Sequence, residues 1–246
     1  TVIGGGTLSN QNAIVLDNVD SKLLLNTVTV DSVSTSADSL GLDVDNNSTI
    51  TSLSVANITP VAIASGKTLS GGITVSAGSI KLNETGTLAS TIAMSGGTLD
   101  ADDSLVVSGA LTQSGDITID VADNKTLTYS GAAVEIGEYT LNVIGGGILN
   151  NNNALVLASG GSKLLLDSTT LNKASTSSGS LGLDVNANST VTSLSVGHTT
   201  PVSIASNKTL SGAISVSAGS LKLNETGTLA STISMSGGEL DADNSS

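Results

Sequence analysis

Residues 1 to 105 return as residues 142 to 246 at a constant offset of 141, without one insertion or deletion. About two-thirds of the aligned positions are identical, and most apolar differences are swaps such as Ile14 to Leu155, Ile50 to Val191 and Ile80 to Leu221. Such swaps keep buried volume nearly constant. Polar positions change more freely, as in Asp17 to Ala158 and Asn57 to His198. A frame kept over 141 residues demands an architecture in which no segment gains or loses a residue, and a stack of like units meets that demand. The second copy ends at Ser246 opposite Leu105, and Thr1 is no initiator, so the chain is expected to be part of a longer array.

A shorter period runs inside the long one. In GKTLSGGITVSAGSIKLNETGTL, residues 66 to 88, Ile73, Val75 and Ala77 alternate with small polar residues, and then Ile80 and Leu82 continue in the opposite phase. Period-2 alternation marks a strand with one buried face. A change of phase requires a corner, placed here at Gly78 and Ser79, and Asn83-Glu84-Thr85-Gly86 reads as the next turn. Apolar segments followed by such corners recur near Leu69, Leu88, Leu105 and Leu127, at spacings of 19, 17 and 22 residues. A period near 20 divides the long repeat into about seven coils and the chain into about twelve. At about 4.8 Å per stacked strand, seven coils advance roughly 34 Å and the whole chain roughly 60 Å.

The expected fold is therefore all-β, a parallel β-helix. Domain organisation follows the repeat: residues 1–141 form one complete unit of about seven coils and 142–246 a second, truncated one, continuous and without a linker. Strand-like segments include Lys22 to Val30, the alternating Leu40, Leu42 and Val44, the kinked pair Ile50 with Leu53 and Val55, and Val61-Ala62-Ile63 starting from Pro60. From Leu99 onward, Leu105, Val107, Leu111, Ile117, Ile119, Val121, Leu127, Val134, Ile136, Leu141 and Val143 extend the inward set. Ser32 to Ser39 and its counterpart Lys173 to Ser180 are expected to bulge from the stack. An antiparallel sandwich would also give many short strands, but Asn-Gly and Asp-Gly hairpin signals are absent.

Composition narrows function. The chain has no Cys, Phe or Trp, only Tyr129 and Tyr139 as aromatics, and lysine as its sole strong base. A net charge of −13 disfavours nucleic acid and anionic membrane surfaces as partners. No apolar run approaches the roughly 20 residues of a membrane helix, so membrane insertion of this segment is not expected. His198 replaces Asn57 on a polar turn and reads as a solvated turn residue with no marked catalytic partners. Asp100, Asp102 and Asp103 follow Gly96-Gly97, and Asp241 and Asp243 follow Gly237-Gly238. The spacing approaches a calcium-binding nonapeptide, with Leu99 where a glycine belongs, so these five are candidate calcium ligands set against solvated acidic corners. No other cofactor is indicated. Paired carboxylates serve glycoside cleavage, but a chain without arginine and nearly without aromatics is not expected to be an enzyme. Asn-x-Ser/Thr triplets, such as those at Asn83, Asn124 and Asn207, fall where turns are needed, and stacked Asn side chains are expected to form ladders along the edges.

The G-G-x-L corners (Gly5-Gly6-Thr7-Leu8, Gly96-Gly97-Thr98-Leu99, Gly237-Gly238-Glu239-Leu240), the Ser-Gly pairs and the cysteine-free Thr/Asn/Ser-rich coils resemble bacterial autotransporter passengers and filamentous-haemagglutinin-type adhesins. The resemblance covers the whole chain as a style of sequence. It implies a right-handed parallel β-helix at the bacterial cell surface or outside the cell, acting as stalk, fibre or adhesin. The long repeat leans toward giant repetitive surface proteins or filaments. Expected partners are further copies of the same repeat, in one chain or end to end. The alternative is a glycan or other cell-surface ligand held by the segments Ser32 to Ser39 and Lys173 to Ser180.

Overall fold

A computed structural model describes residues 1–224 and 226–242. Among them are thirty strands and no helix. Every strand pairing is parallel, which removes the antiparallel sandwich. Thirteen strands, from Val2–Ile3 to Glu239–Asp241, stack in chain order as one side of a β-solenoid. Thirteen strands on one side make about twelve turns of roughly 20 residues, and about 58 Å of rise.

The other strands build two further sides. In some coils they are separate, as Thr87–Leu88 is from Thr91–Met94; in others one long strand, such as Ser48–Val55 or Thr209–Val216, bends through the corner and serves both. The cross-section is a triangle. Its interior holds columns of like side chains, one per coil: Ile80, Leu99, Ile119, Val143, Leu166, Val185 and Ile204 stand over one another. This column passes the 141/142 boundary inside the strand Thr140–Ile144. All twelve residues expected inward from Leu99 to Val143 are buried. Each buried aliphatic side chain removes apolar area worth about 1.5–3 kcal/mol from water, so the narrow core holds with Tyr129 as its one buried aromatic among the described residues and without disulfides.

The 141-residue frame is also a frame of backbone conformation. Positive φ occurs at Gly4, Thr27, Gly41, Gly66, Gly71, Gly78 and Gly97, and again at Gly145, Ser168, Gly182, Asn207, Gly212, Gly219 and Gly238. Each pair is 141 apart, and Gly146 (φ 74), whose counterpart Gly5 lacks positive φ, is the exception. Where glycine is replaced, at Gly66 to Asn207, the substitute is the residue best able to take left-handed geometry.

Several local expectations are corrected. The corner after Val75 is present, with Gly78 at φ 69, but Ala77 lies on the turn and is exposed. A second corner sits unbroken inside the strand Thr68–Val75, where Gly71 and Gly72 separate inward Leu69 from inward Ile73. The kink between Ile50 and Leu53 is of the same kind: Thr51 and Ser52 both face out and the register shifts there. Lys22 to Val30 is broken at Thr27 into two strands. Leu40 is 54% exposed, as is Leu181 at 56%, because the left-handed Gly41 and Gly182 that follow reset the alternation. Pro60 is the third residue of the strand Ile58–Ile63, not its start.

The largest correction concerns the expected bulges. Ser32–Thr35 belongs to the strand Thr29–Thr35 and Lys173–Thr176 to the strand Thr170–Thr176, leaving only 36–39 and 177–180 as connections. Small hydroxylated residues do not prevent a strand when alternate ones point inward. Val33 and Thr35 are buried, and the Thr35 hydroxyl meets the fully buried Thr59 hydroxyl at 3.2 Å; Thr176 and Thr200 repeat the pair at 3.1 Å.

Two larger groups also lie inside. Tyr129 and Asn151 continue the inward column Leu69, Leu88 and Val107. Between Leu111–Gln113 and Val134–Ile136 no ladder forms among the described residues, and the Leu111 N–H donates to the Tyr129 hydroxyl at 3.0 Å.

Candidate functional site

Asp100 and Asp241 lie on strands of the thirteen-stranded side and Asp102 and Asp103 on the bend after the strand Thr98–Ala101, where register decides their neighbours. Lys81 stands opposite Asp100, and Asp100 opposite Asp120. The Lys81 ammonium lies 3.4 Å from Asp100 and 2.9 Å from Asp102. Asp103 turns to the following coil and meets Lys125 at 2.5 Å. Asp241 pairs with Lys222 at 3.6 Å, in the same register as Lys81 with Asp100. Asp243 lies outside the described residues. The three first-copy candidates are thus divided between two lysines, and among the described residues no three His, Cys, Asp or Glu form a group able to hold a metal ion.

The same pairing recurs elsewhere on this side. Lys22 meets Asp43 at 2.6 Å, and Lys163 pairs with Asp184. In both cases the lysine stands opposite a glycine, Gly41 or Gly182, and reaches the carboxylate two residues further on. These partly exposed pairs are each worth about 0–1 kcal/mol. They join consecutive coils, so they act on register more than on total stability.

Burial raises the Asp100 carboxyl above the ordinary carboxylate value, with Lys81 opposing and Asp102 and Asp120 reinforcing the shift. Asp120 is raised for the same first reason and by Asp102, again against Lys81. A raised carboxylate binds its proton more tightly in the fold than in the unfolded chain. Its effect on stability is therefore unfavourable above the folded-state value and fades as pH falls to the unfolded value of 3.8. Replacing Asp120 by Asn should raise the melting temperature at neutral pH, and the gain should disappear below pH 3.8. A gain that is equal at both pH values would contradict this assignment.

His198 is exposed on a corner, and its backbone carbonyl accepts the Thr200 hydroxyl at 2.9 Å. No nucleophile or carboxylate is placed on its ring by any hydrogen bond or ion pair among the described residues. Asn124 and Asn207 occupy left-handed turn positions at φ 61, as their place in turns required.

The expected asparagine ladders are short. Asn26 with Asn46 (3.0 Å) and Asn150 with Asn172 (3.3 Å) are two-rung contacts. Among the described residues eight asparagines, Asn47, Asn142, Asn153 and Asn188 among them, bond the backbone of a neighbouring coil. Asn151, fully buried, accepts the Lys173 N–H at 3.0 Å and donates to the Lys173 carbonyl at 2.7 Å, replacing a missing backbone rung at a corner. Asn10 does the same for Ser32. This role was readable in part, because alternation from Leu149 places Asn151 on the inward phase.

No family model matches the chain, and neither the curated proteins nor the solved structures include a match.

Proposed function

We propose that this chain is a non-enzymatic structural segment of a large repetitive protein, one that lengthens a stiff rod by adding coils. The observation that carries the reading is the unbroken stack: one inward column crosses the boundary between the two repeats with no change of register. In support, polar groups that would be free in a catalytic cleft bond adjacent coils here, as Lys81, Lys125, Asn151 and Thr59 do. A regular stack adds length and stiffness in proportion to copy number.

The setting is part of the proposal. An acidic, cysteine-free chain with G-G-x-L corners suits a bacterial surface or extracellular filament of the autotransporter or haemagglutinin style. The first coil leaves Leu8 exposed on the inward column of Val30, and the last described coil leaves Met235 and Leu240 exposed on the columns of Val216 and Leu221. Further coils of the same kind, from the same chain or from a second one, are the partners whose shape continues these columns. The adhesin alternative has less support at its first placement, since Ser32 to Thr35 and Lys173 to Thr176 lie in strands.

Electron microscopy of chains with one, two and three complete repeats tests the rod. Length should grow by about 34 Å per repeat at constant width. Particles that broaden, or whose length does not scale with repeat number, would overturn the reading.

A further inference from the structure

One edge of the prism, between the thirteen-stranded side and the next, is hollowed twice. The first hollow, ≈ 250 Å³, is lined by Thr27, Val28, Thr29, Asn47, Ser48 and Thr49, with Gly5, Gly6 and Ser70 at its margins. The second, ≈ 320 Å³, is lined by Ser168, Thr169, Thr170, Asn188, Ser189 and Thr190, with Thr209 and Ser211. Thr27 to Thr49 becomes Ser168 to Thr190 on adding 141, so the two hollows are one feature repeated. Seven coils separate them on the thirteen-stranded side, about 34 Å along the axis.

The walls are built alike. The Asn47 Oδ1 accepts the Thr68 N–H at 3.0 Å, and the Asn188 Oδ1 accepts the Thr209 N–H at 3.0 Å. That bond settles which way each carboxamide is turned and leaves the Nδ2 hydrogens for a ligand. The Ser48 hydroxyl donates to the Asn46 carbonyl at 2.9 Å, and the Ser189 hydroxyl to the Ala187 carbonyl at 3.0 Å. At the rim, Thr27 (φ 57) and Ser168 (φ 56) hold left-handed backbone without being glycine or asparagine. Such backbone costs an ordinary residue about 1–2 kcal/mol, yet both copies keep a hydroxylated residue there. The Thr27 hydroxyl donates to Asn26 Oδ1 at 3.2 Å and the Ser168 hydroxyl to Asp167 Oδ1 at 3.0 Å, so each offers a ligand its acceptor lone pairs.

We infer that each hollow is a subsite for a neutral polysaccharide, and that successive repeats present these subsites in a row to one polymer. The lining carries no charge and no aromatic ring. It offers hydroxyls and carboxamides, which donate and accept, so a ligand without charge and rich in hydroxyls matches it. The net charge of −13 works against anionic polymers. A single hollow without aromatic stacking binds weakly. Two on one edge convert the second contact into an intramolecular one, and avidity gains of about 10²–10⁴ follow when the ligand spans both.

The probes are neutral gluco-, manno- and galacto-configured polymers, with short oligosaccharides of the same sugars, applied to the whole chain by affinity electrophoresis and NMR titration. Thr29→Val with Thr49→Val removes two hydroxyls from the first hollow, and Thr170→Val with Thr190→Val does so in the second. Valine suits an outward strand position, so folding is retained and is checked by circular dichroism. At least one polymer should bind, with binding that persists in 1 M salt. Loss of either hollow should weaken polymer binding at least tenfold while only halving the number of oligosaccharide sites, and the fourfold variant should bind neither. Failure of every neutral polymer to bind, binding abolished by salt, or unchanged binding by the fourfold variant would each overturn the inference. None of these outcomes bears on the rod, whose length is measured separately.

Discussion

Gly41→Ala should destabilise the chain by about 3–5 kcal/mol, a loss seen as an earlier thermal transition and as proteolysis around Lys22–Asn26 and Ile58–Ile63. A Cβ at Gly41 would lie 1.8 Å from the Pro60 carbonyl oxygen, and one at Gly182 1.9 Å from that of Pro201. These are backbone atoms of the next coil, so no rotamer change relieves the clash. Left-handed φ at 78 and 87 adds about 1–2 kcal/mol for any side chain. Gly66 separates the two causes. It shares the left-handed φ, but nothing lies within 4 Å of its Cβ position. Gly66→Ala should cost only about 1 kcal/mol, and Gly66→Asn should be nearly neutral, since Asn207 already stands at the equivalent site. If Gly41→Ala and Gly66→Ala cost the same, coil-to-coil contact is not what selects glycine at residue 41.

Asn151→Ala should cost about 3 kcal/mol, and the Lys173 amide should lose its protection from hydrogen exchange. Truncation removes the 0%-exposed Asn151 carboxamide and leaves the Lys173 N–H and carbonyl, which it pairs, without that partner. Buried polar groups left unpaired lose about 1–3 kcal/mol each. Asn10→Ala removes the same contacts from Ser32, but Asn10 is only half-buried in the first coil and water can take its place. Its cost should stay below about 1 kcal/mol. Equal costs at Asn10 and Asn151 would mean that the carboxamide rung is not what holds the corner.

Both predictions concern contacts between residues about 20 apart, and that separation marks where the sequence was readable. Alternation announces which residues of a strand share a face, and Ile117, Ile119 and Val121 are buried as it required. Corners made by glycine at a break, such as Gly78, were visible for the same reason. A corner inside a continuous strand, as at Thr51 and Ser52, shows only as two outward residues in succession. That is a weak signal among many serines and threonines. Thr35, Thr59 and Asn151 sit on inward phases, and their polarity hid them. Their partners, Thr59, Thr35 and Lys173, lie one coil away, and only register brings each pair together. The acidic residues show the same limit. Sequence proximity grouped Asp100, Asp102 and Asp103, whereas stacking assigns the first two to Lys81 and the third to Lys125.

By itself the sequence determined the winding: β-branched and leucine residues at period 2, corners near every twentieth residue, and a 141-residue frame that tolerates no insertion. Those properties are local, or repeat exactly as a stack requires, and physics acts on them one coil at a time. Only the tertiary structure decided what each coil does to the next. It chose which glycine must lack a Cβ, which asparagine completes a rung, which carboxylate binds its proton more tightly, and that one edge is hollowed twice. Each of these depends on the axial register between coils, a quantity that no single coil contains.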